Sequence, residues 1–73
     1  MTNKIYQSLC LEYVKYADAN NLSEGQKLFL ALHDADPVTA SKITGNPDID
    51  PFYKDDNIKQ FMEWIREQDA QRK

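Results

Sequence analysis

The chain has 73 residues, 9 Lys+Arg against 12 Asp+Glu, a formal net charge of −3, and 41% hydrophobic residues. This length supports one domain with one modest core, since a chain of about 60 residues buries only about 60% of the surface its unfolded form exposes. The hydrophobic share excludes a wholly disordered chain, and the acidic balance argues against a phosphate-driven grip on nucleic acid, which needs a basic face.

The lone Cys10 cannot form an internal disulfide, which points to a reducing compartment. Met1 to Ile5 soon meets Tyr6, Gln7 and Ser8, where a secretory leader would place an apolar run. The longest apolar run, Leu28 to Leu32, is far short of the roughly 18 residues needed to span a membrane. The expectation is a complete, cytosolic small gene product.

In chain order, the first segment reads as a helix from about Asn3 to Asn20. At about 100° per residue, Ile5, Tyr6, Leu9, Cys10, Tyr13, Tyr16 and Ala17 share one arc, with Val14 on its border. Leu11 falls among the polar residues of the opposite side. Asn20-Asn21 is a suitable stop, because Asn tolerates the left-handed conformation at a helix end.

Ser23-x-x-Gln26 has the form of a capping box and opens a second helix, Glu24 to His33, with Leu28, Phe29, Leu32 and Ala35 on one face. Asp36-Pro37 starts a third helix, running to about Ile43, with Val38 and Ile43 as its apolar contributions and Gly45 closing it. Residues 45–56 form a loop holding Pro47, Pro51 and four aspartates; Ile49, Phe52 and Tyr53 are expected to pin part of it to the core. Asp55 or Asp56 caps a final helix in which Ile58, Phe61, Met62 and Ile65 repeat at i, i+3, i+4 and i+7. Residues 69–73 are expected to fray. The predicted fold is mainly α: a single domain over residues 1–73, with three to four short helices and an acidic loop before the last.

Charge is uneven along the chain. Residues 34–56 hold six Asp and two Lys, a balance of −4, whereas residues 1–33 balance to zero. The aspartates do not make a metal site by pattern. Asn46-x-Asp48-x-Asp50 resembles the start of a calcium-binding EF-hand loop, but Pro51 stands where glycine is required and Asn57 where a bidentate Glu is required. No cofactor is expected. Lys27 to Ile43 has a helix-turn-helix outline, yet its second helix offers only Thr39, Ser41, Lys42 and Thr44, and Asp34 and Asp36 flank its N-terminus. His33, the only histidine, is read as a packing or capping residue, and Cys10 as a small core residue.

Eight aromatic residues are more than so small a core can bury fully. Trp64 projects about 120° from Ile58 on the last helix. Surplus apolar groups at a surface are what protein interfaces use, although a fold wrapping its helices on two sides would also cover them. Leu11, Phe52, Tyr53 and Trp64 are the candidate anchors for a partner protein. Asp48, Asp50, Asp55 and Asp56 are the candidates for steering it by charge.

Over the full chain, Met1 to Lys73, the sequence resembles small bacteriophage-encoded proteins that bind host machinery. Its length and its opening, Met1-Thr2-Asn3-Lys4-Ile5-Tyr6-Gln7-Ser8-Leu9-Cys10, are similar to those of small RNA-polymerase-binding transcription regulators of Xanthomonas phages. The resemblance implies a non-enzymatic regulator in the host cytoplasm. Such a protein binds bacterial RNA polymerase, blocks initiation by interfering with sigma-factor engagement, and can promote antitermination. No family motif maps onto individual positions, so no binding residue is carried over. From other classes, the alternatives are a helix-turn-helix-like nucleic-acid-binding regulator and an inhibitor of a host nuclease defence system.

Overall fold

Ser23 sets the register of the central helix. Its hydroxyl accepts from the Gln26 amide (3.3 Å), and the Gln26 side-chain oxygen accepts from the Ser23 amide (2.9 Å). Two donors that a helix start would leave unpaired are thereby satisfied reciprocally. The computed structural model describes residues 4–71. Four helices follow in order: α1 (Lys4–Tyr13), α2 (Glu24–Ala35), α3 (Pro37–Ile43) and α4 (Ile58–Gln71), with one 3-10 turn, Asp55–Asn57, leading into α4. They form a mainly helical single domain, 68% helical, with no strand among the described residues.

α2 is the hub. It packs on α1, on α3 and on the 3-10 turn, while α1 also packs on α4. The buried core is Ile5 and Leu9 of α1, Ala31 and Leu32 of α2, Ala40 and Ile43 of α3, and Phe61 and Ile65 of α4. Asp36 is the sole residue between α2 and α3. Its amide donates to the Leu32 carbonyl, and its carboxylate accepts from the Thr39 amide (3.3 Å), so one residue ends one helix and starts the next. Gly45 follows α3 at φ +80°, the left-handed position that favours glycine after a helix end.

Several expectations need correction. α1 stops at Tyr13, and residues 14–18 continue as tight turns, with the Lys15 amide donating to Glu12 and the Tyr16 amide to Tyr13. Bonds from α2 hold this stretch: the Tyr16 hydroxyl donates to Asp34, and Lys27 Nζ donates to the Ala17 carbonyl (3.1 Å). Cys10 is exposed rather than core, because it lies about 140° round α1 from Ile5 while the buried stripe, Ile5 and Leu9, spans only about 40°. On α3 the buried face is Thr39, Ala40 and Ile43, and Val38 is exposed. Asp55 does not cap α4. Its carboxylate accepts from the Gly25 amide (3.0 Å) in the first turn of α2.

The end of α4 departs furthest from expectation. The helix continues past Asp69 to Gln71, and residues 72 and 73 of the expected frayed tail lie outside the described residues. Asp69 is 2% exposed. It continues the i, i+4 stripe of Phe61 and Ile65 into the interior, and its two oxygens accept from the amides of Ile5 (2.9 Å) and Tyr6 (3.0 Å). The start of α1 is therefore capped by a side chain from α4. The positive end of the helix dipole and two charge-assisted bonds offset the cost of burying the carboxylate.

Asp69→Ala should destabilise the protein by about 3 kcal/mol, because it leaves helix-start amides buried without partners. Urea denaturation would show a lowered midpoint, and a shift below about 1 kcal/mol would contradict the assigned role. Gly25→Ala should also destabilise, since an added Cβ would sit 2.0 Å from the Pro51 carbonyl oxygen, with the Asp55 carboxylate also close. The expected loss is about 1–3 kcal/mol, read from the same denaturation midpoint.

Candidate protein-binding surface

α1 turns Ile5 and Leu9 inward, so the opposite side of a ten-residue helix meets water. Gln7, Cys10 and Leu11 lie about 140–240° from Ile5. Leu11 is 73% exposed, and Val14, just past the helix, is 72% exposed. Tyr6, Gln7, Cys10 and Leu11 line an open groove of about 410 Å³. A second groove of about 250 Å³ shares Tyr6 and Cys10 with it and reaches Leu28 and Met62. Among the described residues, the outer side of α1 thus carries an apolar groove with Leu11 exposed on its rim and Val14 exposed just past the helix.

The other predicted residues are dispersed. Trp64 is half-buried against the core. Phe52 is half-buried, with its ring edge-to-face against Phe29 (centroids 5.6 Å) and against Tyr53 (4.9 Å). Tyr53 is 84% exposed, so it does not pin the loop to the core. The groove lined by Leu11 and the groove lined by Tyr53 have no residue in common. Cys10 joins Leu11 in its groove, and Val14, three positions on, is exposed. The sequence signal for Val14 was its border position on the helical arc. Cys10 shares the apolar arc of α1 but lies outside its buried part, which is only Ile5 and Leu9.

The aspartates also divide. Asp48, Asp55 and Asp56 are exposed. Asp50 is buried: its carboxylate accepts from the amides of Gly45 (2.8 Å) and Phe52 (2.9 Å) and so holds the loop together rather than facing a partner. The Asn57 side chain donates to the carbonyls of Pro47 and Asp50, both at 2.9 Å, from within the same loop. The Asn46 side-chain oxygen is engaged by the Asp48 amide (2.9 Å). Among the described residues no three His, Cys, Asp or Glu side chains gather as a possible ligand set for a metal, and no helix is long and apolar enough to cross a membrane.

On α3 the polar side chains bind their own backbone or cap. The Thr39 hydroxyl donates to Asp36 (2.7 Å), Ser41 to the Val38 carbonyl (2.7 Å) and Thr44 to the Ala40 carbonyl (3.0 Å). Of the four residues that a recognition helix would offer to DNA, Thr39 is buried and only Lys42 brings positive charge. His33 is exposed in the last turn of α2, so it does not pack in the core.

Two tyrosine–carboxylate bonds fasten α1 and the following turn to α2: Tyr13 donates to Glu24, and Tyr16 donates to Asp34. Both phenols are held above their ordinary value of 10.0, first by the hydrogen bond to the carboxylate, then by desolvation and by repulsion between phenolate and carboxylate. A raised folded-state value makes this stabilisation complete below pH 10 and lost as pH rises through the folded values. In an alkaline titration followed by tyrosinate absorbance and helicity, the protein should lose stability above about pH 10. The Tyr13→Phe/Tyr16→Phe variant should lose this part of the slope, and an unchanged slope would show that the two bonds contribute nothing.

The groove on α1 and the loop around Tyr53 have no counterpart to borrow from: no family model matches the chain, and neither the curated proteins nor the solved structures contain a significant match.

Proposed function

We propose that the protein is a non-enzymatic regulator that acts by binding a larger protein complex through the outer side of α1. The observation that carries this is a pair of aliphatic side chains held in water, Leu11 on the rim of an apolar groove and Val14 three residues further along the chain. Each exposed aliphatic group gains about 1.5–3 kcal/mol when a partner removes it from water. An anchored helix face presents such groups with little ordering cost.

The partner proposed is bacterial RNA polymerase, in the cytoplasm of a phage-infected host. The resemblance of the chain to small phage regulators of that enzyme supports this choice. The net charge of −3 is compatible with docking beside the basic surfaces that line nucleic-acid channels. A rigid body 37 × 25 × 18 Å would act there by occlusion, hindering sigma-factor engagement at initiation. Retention on the elongating enzyme would account for antitermination.

The test is capture of purified bacterial RNA polymerase by the tagged protein at moderate salt, followed by promoter-directed transcription. Wild-type protein should bind stoichiometrically and inhibit initiation. Leu11→Glu/Val14→Glu should lose at least about tenfold in affinity, with an unchanged denaturation midpoint because neither side chain is buried. Failure of wild-type protein to bind the polymerase would refute the partner, and full binding by the double variant would refute the face.

A further inference from the structure

Between α1, α2 and α4 runs the groove of about 250 Å³, with apolar walls from Leu9, Leu28 and Met62. Glu24 is the only Asp, Glu, Lys, Arg or His among the residues that line it. Glu24 opens α2 and Tyr13 closes α1, so the charged group stands where the first helix ends and the second begins. The Tyr13 hydroxyl, also in the groove wall, donates to Glu24 Oε2 and holds the carboxylate in place.

Among the described residues no cation of the chain pairs with this carboxylate. Lys15 pairs with Glu12 (2.6 Å), and Lys27, in the next turn of α2, spends its ammonium on the Ala17 carbonyl (3.1 Å). Glu24 Oε1 therefore has no hydrogen-bond or ion-pair partner among the described residues. An apolar groove that ends on a free carboxylate oxygen fits a side chain with a long alkyl stem and a cationic head. The stem buries along the apolar walls while the head stays at the charged, wet end. Lysine suits this better than arginine. A guanidinium fork is matched by both oxygens of a carboxylate, and Tyr13 occupies one of them; an ammonium is a compact point charge that needs only the other.

We propose that this groove seats a lysine side chain of a partner protein, with the stem along Leu28 and Met62 and the ammonium on Glu24 Oε1. The inference rests on the protein-binding function proposed above and names the chemistry of the segment bound. The groove is continuous with that surface, because it shares Tyr6 and Cys10 with the groove that Leu11 rims. The Tyr13 bond orders the carboxylate before the partner arrives, so little side-chain freedom is lost on binding.

The test is an NMR titration of the full-length protein with three blocked tripeptides, each with leucine at both ends and lysine, Nε-acetyl-lysine or arginine at the centre. The lysine peptide should shift the Leu28 and Met62 methyl resonances and those of the Tyr13 ring. It should bind about threefold or more tighter than the acetylated peptide, which keeps the stem and loses the charge. Glu24→Gln keeps an acceptor for the Tyr13 hydroxyl and removes the charge, so the preference for lysine should vanish while the denaturation midpoint changes little. Equal affinities of the lysine and acetyl-lysine peptides would overturn the proposal, as would a preference that survives Glu24→Gln, shifts centred away from the groove, or no shift at all. An arginine peptide that binds as tightly as the lysine peptide, or more tightly, would overturn the choice of head group. The titration contains no polymerase. Its failure leaves the capture result with Leu11→Glu/Val14→Glu standing, and failure of that capture leaves this site measurable.

Discussion

The buried carboxylate of Asp69 ties the two ends of the chain into one body. Its oxygens take the Ile5 and Tyr6 amides, so the first turn of α1 depends on the last turns of α4. A ten-residue helix is marginal alone in water. The cap from α4, together with burial of Ile5 and Leu9, is what keeps α1 in place. Everything attributed to the outer side of α1 follows from this, because that side exists only while the inner side is held.

The same device recurs at smaller scale. Asp36 caps α3, Asp55 supports the first turn of α2 from the loop, and Asp50 closes the loop on itself. A small core supplies only modest stability, and chains of this size without disulfides or metals need other ties. Here carboxylates on backbone amides serve as those ties. Part of the acidity that looks, in composition, like a surface property is therefore structural. The acidic surface left for a partner, Asp48 and Asp56 with part of Asp55, is smaller than the loop sequence implies.

The two proposed contacts use different physics. Leu11 and Val14 offer aliphatic area and depend on removing water. The groove between α1 and α2 ends on the Glu24 carboxylate and depends on a cationic head. A partner engaging both would need an apolar patch and a lysine, a combination that separates it from bare nucleic acid, which has no aliphatic surface to cover Leu11 and Val14.

Local chemistry was legible in the sequence. The Ser23–Gln26 box, the Asp36-Pro37 start, the Gly45 stop and the i, i+3, i+4 stripe of α4 each involve residues within a few positions of one another, and short-range hydrogen bonds and helical periodicity decide them. The mainly helical class and the exposure of Leu11 followed from the same periodicity. Tertiary structure alone decided the rest. Asp69 read as the start of a frayed tail because its partners, the amides of Ile5 and Tyr6, lie more than sixty positions away. Asp55 read, with Asp56, as one of two caps for the last helix because Gly25 is thirty positions earlier. Cys10 moved outward and Asp50 inward for a related reason. A helical arc says which residues share a side, but only the neighbouring elements say how much of that side is covered.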